Sequence, residues 1–552
     1  MMTILLVTSG IGFSQGNFPE QTKQKIVETT LNGLKISIDV NTGSIIKLQR
    51  VGGVVMLEAD PEYAGLIDLA YPVKQFDPLR LASRFSEKPE FKKTENSLTI
   101  TWHKLGASRE KFEQSGNVSC IVSITEADDG QSVILKAKIE NQSDISVRQV
   151  LFPDFAGLLP FAGEEDTELR SLWYAHKPFP VLKALTRESK NFRRDRSANQ
   201  VMPLNSRWLD YGGLQGGFSL YQRAWGFAPF CKIMQDLRYD EKSLRLMLEH
   251  QVTIEPQQEW ESGEFYLTPH IGGWAKGIET YREWVSQNQK RDWPLSRPVR
   301  DGLGMRVVWM CDNYIHDPKD VVWKINDLPA IANEAKEHGL TAIHMWQWHE
   351  QFKLPLPPPF PHLGTEEELS KAAIQCQKIG VRLVPMIEWS TLAKDECDRY
   401  GFRHQEVNWM GHNELIPRFR PYYTEGWGVG SAGDSHYEPF LNDILDSWKH
   451  LIDLGIPSIF WDQFWSGPKV PNFQTTARKG IELSKKKDPE SIFIIEDFWN
   501  HEVTSVYGDL LDATVYAQET EAFVNAFSGP RPYWLIDQKR IDQLKKCFAN
   551  NF

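Results

Sequence analysis

The stretch Ile452-Asp-Leu-Gly455-Ile-Pro-Ser-Ile-Phe-Trp-Asp-Gln-Phe464 decides how the second half of this chain folds. It reads as a helix end, a glycine, an apolar run too short for another helix, and an acid among aromatic residues. Glycine suits the left-handed position that closes a helix. An unbroken apolar run of this length suits a strand buried on both faces. The unit occurs twice more, at Lys336-Glu-His-Gly339-Leu-Thr-Ala-Ile-His-Met-Trp-Gln-Trp348 and at Gln377-Lys-Ile-Gly380-Val-Arg-Leu-Val-Pro-Met-Ile-Glu-Trp389. Upstream of the third copy, Tyr437, Phe440, Leu441, Ile444, Leu445, Trp448, Leu451 and Ile452 recur at helical spacing. Strands alternating with helices imply a parallel sheet.

Outward from this unit, six strands are expected, at 305–311, 341–347, 381–388, 456–462, 491–496 and 512–516. The expected architecture is a (β/α)8-type barrel, which needs two strands more. Only about 35 residues follow the sixth, so the last strands are either compressed or missing from this chain. The first half has a different rhythm. Leu34-Lys-Ile-Ser-Ile-Asp-Val40 alternates, Asn41-Thr-Gly43 turns, and Ser44-Ile-Ile-Lys-Leu-Gln49 returns, which is a hairpin pattern. Alternation recurs at 97–103, 118–125, 132–139, 217–221 and 244–254, predicting a large antiparallel β-sandwich. A helix is expected from Trp274 to Gln287, with Pro294 and Pro298 marking a linker. The expected order is a signal segment at 1–14, a sandwich at 24–272, a helical linker at 273–302 and the barrel at 303–552.

Composition narrows the function. The net charge of −11 and the lack of a basic stripe among aromatics argue against a nucleic-acid partner. The 20 Trp, 16 Tyr and 29 Phe fit either core packing or sugar binding, where a flat ring covers the C–H face of a pyranose. Residues 1–14 resemble the apolar part of a secretory signal, with Gly12-Phe-Ser14 as a small-x-small cleavage site, although no Lys or Arg precedes them. With no later run apolar enough to span a bilayer, the expectation is a secreted or periplasmic protein. The six cysteines include no C-x-x-C pair, and no D-x-D-x-D-G run suggests calcium, so no metal or organic cofactor is expected.

In such a barrel the active site lies at the C-terminal strand ends. Those ends carry Trp309, Cys311 and Asp312; His344, Trp346, Trp348, His349 and Glu350; Glu388 and Trp389; Trp461 and Asp462; Glu496, Asp497 and Trp499; and, beyond strand six, Glu519 and Glu521. Glycosidic cleavage uses one carboxylate at the anomeric centre and a second, protonated, at the leaving oxygen. Asp462 ends a very apolar strand, where an acid without a task is costly. Glu496 ends the next strand, with Ile495 and Phe498 to favour its protonated form. Strand alternation lets only one of Glu496 and Asp497 face the mouth. Asp312, His344, Trp346, Trp348, Glu388, Trp389, Trp461, Asp497, Trp499 and Glu519 are candidates for contacting a carbohydrate substrate. His344 and His349 read equally well as scaffold histidines, and the tryptophans as packing. The long segment 390–436, rich in aromatics and glycines, reads as a substrate-binding lid.

Ile459-Phe-Trp-Asp-Gln-Phe464 followed by Phe493-Ile-Ile-Glu-Asp-Phe498 resembles the catalytic strands of retaining α-glycosidases, most nearly the endo-α-N-acetylgalactosaminidase-like group. The resemblance implies a sandwich before the barrel, Asp462 as nucleophile and Glu496 as acid/base. Two other readings stay open. One is an α-galactosidase-like hydrolase with Glu519 or Glu521 as the acid; the other is a carbohydrate-binding protein without turnover.

Overall fold

The structure is a computed structural model. It describes residues 26–71, 79–86, 88–108, 117–160, 166–172, 175–176, 198–204, 207–224, 230–235, 244–250, 252–311, 320–350, 353–389, 392, 396, 399–400, 404–406, 422–424, 437–464, 473–497, 505–512, 526 and 531–533. The expected signal segment, Asp312, Trp499, Glu519 and Glu521 lie outside the described residues.

Among the described residues the first half forms two antiparallel sheets, one of eleven strands and one of ten. The expected hairpin pairs Leu34–Asp39 with Ile45–Arg50. Its turn closes because Asp39 accepts from Thr42 N and Oγ1, and Gly43 adopts φ +76°. A side chain at Gly43 would sit 2.5 Å from the Trp102 ring, so the turn has no room for one. Val118–Glu126 and Val133–Asn141 pair along their whole length, with every second residue of Val133–Asn141 buried. Their apolar faces and those of the eleven-stranded sheet share one core, including Ile36, Trp102, Ile124, Leu135, Phe155 and Tyr211.

Gln149–Leu158 was not expected from sequence. All but its first residue are buried, so it lacks alternation, and two register shifts interrupt its pairing with Leu244–His250. Asp154 on this strand is buried and meets Arg245, whose Nε lies 2.6 Å from Asp154 Oδ1 and whose Nη2 bonds Oδ2. Nearby Asp68 binds Arg80 Nε at 2.6 Å and Arg84 Nη2 at 2.7 Å.

The second half is a parallel sheet of seven described strands flanked by helices. In sheet order these are Met305–Trp309, Ala342–Trp346, Arg382–Glu388, Ile459–Phe464, Phe493–Asp497, Leu510–Asp512 and Arg531–Tyr533. The first five fall on the expected strands; the sixth is described at Leu510–Asp512 and meets the expected 512–516 only at Asp512, residues 513–516 lying outside the described residues, and the seventh is an addition. Gly339, Gly380 and Gly455 all have positive φ (+74°, +100° and +86°) where the helices Leu328–Glu337, Glu366–Ile379 and Tyr437–Asp453 end.

The sheet has two apolar faces. One packs on the helices and holds Ile343, Met345, Ile387, Ile459, Trp461, Phe493 and Ile495. The other holds Ala342, Val384, Met386, Phe460, Ile494 and Leu510, joined by Val299 from the linker helix Arg297–Asp301. The linker is pinned to the sheet: Arg291 donates to the Ser505 and Gly508 carbonyls, and Ser296 N donates to buried Asp509. No helix among the described residues is long and apolar enough to cross a membrane.

Candidate active site

Strand alternation and register together decide which side chains share a face. Met386 pairs with Phe460, and two residues further on Glu388 pairs with Asp462. Both pairs therefore project from the face that carries Val384 and Ile494, away from the helices. On the fifth strand Ile494 pairs with Phe460, so Glu496 follows onto that same face. Between Trp461 and Phe464 the ladder shifts by one residue, setting Asp462 and Gln463 opposite Glu496. Such bulges bend a strand and re-aim its side chains. Three carboxylates thus end one apolar face: Glu388, Asp462 and Glu496, exposed by 1%, 6% and 5%.

Trp346 shares this face at the end of the second strand, beside Phe460. Its Nε1 donates to His344 Nδ1 at 3.2 Å, which requires a neutral His344 with its proton on Nε2. Burial pushes the His344 pKa down to about 3, consistent with a histidine that holds a ring in place and does not titrate near neutrality. Trp309, paired with Trp346 across the first two strands, stacks on it at 5.0 Å and remains 37% exposed. Trp309 was not among the substrate-contact candidates. The signal was there: it stands two and four residues after Val307 and Met305, on the same side of its strand. Gln347, just past Trp346, is buried with φ +53°, a strained conformation of the kind that accumulates at functional sites.

The other tryptophan candidates sit elsewhere. Trp389 and Trp461 are fully buried against each other (5.1 Å, edge to face) and against Trp448 of the helix Tyr437–Asp453. Trp348 is 1% exposed in the same helix-side core, and its Nε1 donates to the Met386 carbonyl at 3.1 Å. A stacking platform must offer a ring face to its ligand, and these three rings are covered by protein. His349 is likewise buried, donates from Nδ1 to the Glu350 carbonyl, and has its pKa pushed down to about 4 by burial. Of Asp497 only the backbone is described, at its pairing with Phe464.

Of the expected lid, a two-stranded pairing of His404–Glu406 with Tyr422–Thr424 is described, together with its base. There Arg399 binds Glu396 and Asp443, and the Tyr400 hydroxyl donates to Asp443 at 2.6 Å, anchoring the segment to the helix Tyr437–Asp453. Among the described residues no group of three His, Cys, Asp or Glu is placed to hold a metal ion. The arrangement offers paired carboxylates, a third acid beside them and an aromatic pair at the rim.

No protein-family model matches the chain, and no curated protein sequence matches it. Solved structures do. A quadruple mutant of α-N-acetylgalactosaminidase NagBb from Bifidobacterium bifidum superposes with a TM-score of 0.61 at 10% identity, covering 95% of this chain and 92% of that one. The GalNAc complex of the same enzyme gives 0.59 at 12% identity, over 88% of this chain and 79% of the other. A GH36 α-galactosidase, AgaA from Geobacillus stearothermophilus, gives 0.46 at 10% identity over 96% and 85%, too distant to carry an argument. The chain has a glycoside-hydrolase-like fold, with antiparallel sheets in its N-terminal half.

Proposed function

We propose that this protein hydrolyses α-glycosidic bonds in an oligosaccharide or polysaccharide with retention of configuration. Asp462 attacks the anomeric carbon while Glu496 gives its proton to the departing oxygen. Glu496 then takes a proton from water, whose oxygen displaces Asp462 and frees the sugar. The observation that carries this reading is that two buried acids share one face on adjacent parallel strands. Neighbouring strands lie about 4.8 Å apart, which suits the roughly 5–5.5 Å carboxyl separation of retaining enzymes. In this reading the parallel sheet closes into a barrel around the face that carries Phe460 and Ile494. Protein acids and water supply all the chemistry. The apolar segment 1–14 supports export of the chain, which N-terminal sequencing of the mature protein would check.

The test is a panel of aryl α-glycosides, starting with the α-N-acetylgalactosaminide because the superposed enzyme is named for that sugar. Wild type should release the α-anomer first, by NMR, and Asp462→Asn should be inactive. Glu496→Ala should regain turnover with azide and form the α-glycosyl azide. Full activity in Asp462→Asn would end this proposal. Rescue confined to Glu519 or Glu521 variants would move the acid/base to strand six, and binding without turnover on any glycoside would leave a lectin-like protein.

A further inference from the structure

Beyond Glu388 the chain leaves the third strand of the parallel sheet and returns as the helix Tyr437–Asp453, which leads into the strand of Asp462. The outgoing stem of this excursion carries Glu396, Arg399 and Tyr400; the returning stem carries Asp443, in the second turn of the helix. Arg399 joins the two stems to each other and to a third piece of chain. Its Nε donates to Glu396 Oε2 at 2.9 Å and its Nη1 to Asp443 Oδ2 at 3.2 Å. Its Nη2 donates to the Tyr400 hydroxyl and, at 2.6 Å, to the Leu354 carbonyl in the loop that follows the second strand. Tyr400 in turn donates to the same Asp443 oxygen at 2.6 Å. Lys353, next to Leu354, places Nζ 3.8 Å from Glu396 Oε1. The loop is held once more by Leu356 N, which donates at 2.9 Å to Ser447 Oγ, one helical turn beyond Asp443.

Stability alone does not account for this arrangement. The Arg399 side chain is 42% exposed and that of Asp443 30%. Ion pairs this open contribute little, and ordering a long side chain offsets what they give. What a guanidinium does supply is direction: its planar fork fixes the angles between its partners, and here its three nitrogens address three separate segments. The segments are those that frame the candidate site. The Leu354 loop follows the strand of Trp346, the outgoing stem follows Glu388, and the helix precedes the strand of Asp462. A site whose walls are in place before the ligand arrives avoids an ordering cost on binding.

We propose that Arg399 is a positioning residue for glycan binding. As a clasp across the base of the excursion, it holds the loop after the second strand and the helix before the fourth at one spacing, so that the substrate meets a preformed wall. The identity of the ligand rests on the hydrolase reading above; the clasp rests on the contacts of Arg399.

The test uses the full chain with Arg399→Met, which keeps an apolar stem over the Tyr400 ring and loses every donor, and Arg399→Lys, which keeps the charge and loses the fork. Hydrogen–deuterium exchange without substrate should be faster than wild type in peptides spanning 353–360 and 437–447 of Arg399→Met, with the denaturant midpoint close to wild type. On an aryl α-glycoside that wild type hydrolyses, KM should rise roughly 3- to 30-fold, the scale of coupling through a side-chain network, and kcat should change far less. Arg399→Lys should restore only part of both effects. Adding Asp443→Asn to Arg399→Met should do little more, because the two residues act as one unit. Unchanged exchange in either peptide, a fall in kcat as large as the rise in KM, or full restoration by Lys would overturn the proposal. Absence of turnover by wild type would count against the hydrolase reading alone, and the exchange of the two peptides would then decide the clasp.

Discussion

Glu388 and Asp462 pair in register across the third and fourth strands of the parallel sheet, on one face and both almost fully buried. A like charge beside a carboxylate disfavours its ionisation. Glu388→Gln removes that charge and keeps the shape. In the proposed mechanism Asp462 must be ionised to attack, so the acidic limb of the kcat/KM profile should move to lower pH in Glu388→Gln. Turnover near neutral pH should fall, because one of the two acceptor oxygens beside the nucleophile becomes an NH2 donor. An acidic limb in the wild-type position would show that Glu388 carries no charge next to Asp462.

The tryptophans should separate into two classes. Trp461→Ala or Trp389→Ala empties a site between sheet and helices and should destabilise the fold by about 3–5 kcal/mol, read as a lower denaturant midpoint. Trp309→Ala removes a ring that is more than a third exposed and should change stability by less than about 1 kcal/mol. Its effect should appear as a higher KM for the longer substrates. Equal losses of stability in all three variants would contradict this division.

The difference between these classes shows where sequence reading stops. The glycine at each helix end and the short apolar run after it are local signals, and Gly339, Gly380 and Gly455 take the backbone conformation that their position implies. The direction of Trp461 is not local. Ile459-Phe-Trp-Asp carries no alternation of polarity, because both faces of that strand are covered, and only pairing with Met386 and Glu388 tells Trp461 from Asp462. Gln149–Leu158 was hidden for the same reason, and Arg531–Tyr533 is too short to show any period. The acids at the strand ends were legible because a carboxylate closing an apolar run needs a reason.

Acid should destabilise this protein before its carboxylates protonate. Burial holds the folded-state pKa of His344 at about 3 and those of His349 and His250 at about 4, against about 6.5 in an unfolded chain. The unfolded chain therefore takes up protons that the folded one refuses. Stability from these three sites is complete above about pH 6.5 and should decline as pH falls toward 4. Gln at position 344 can still accept from Trp346 Nε1, so His344→Gln should flatten that decline. Equal slopes of unfolding free energy against pH in the two proteins would show that His344 takes up its proton in the folded state.

Lower on the pH scale the sandwich half should respond. Burial alone would raise the pKa of Asp68, but Arg80, Arg84 and Arg245 together hold it below the ordinary carboxylate value. Stability from this site is present above the unfolded-state pKa of about 3.9 and should be lost as pH falls below it. Asp154, with no exposure, meets Arg245 at the centre of the same cluster. Removing one partner of a buried pair leaves the other charge uncompensated, at a cost of about 3–5 kcal/mol. Asp154→Ala should therefore lower the unfolding midpoint strongly, whereas Arg245→Met in an Asp154→Leu background should recover most of the loss. If the double variant is no more stable than Asp154→Ala, the cost comes from lost packing at the bulged strand and not from the stranded guanidinium.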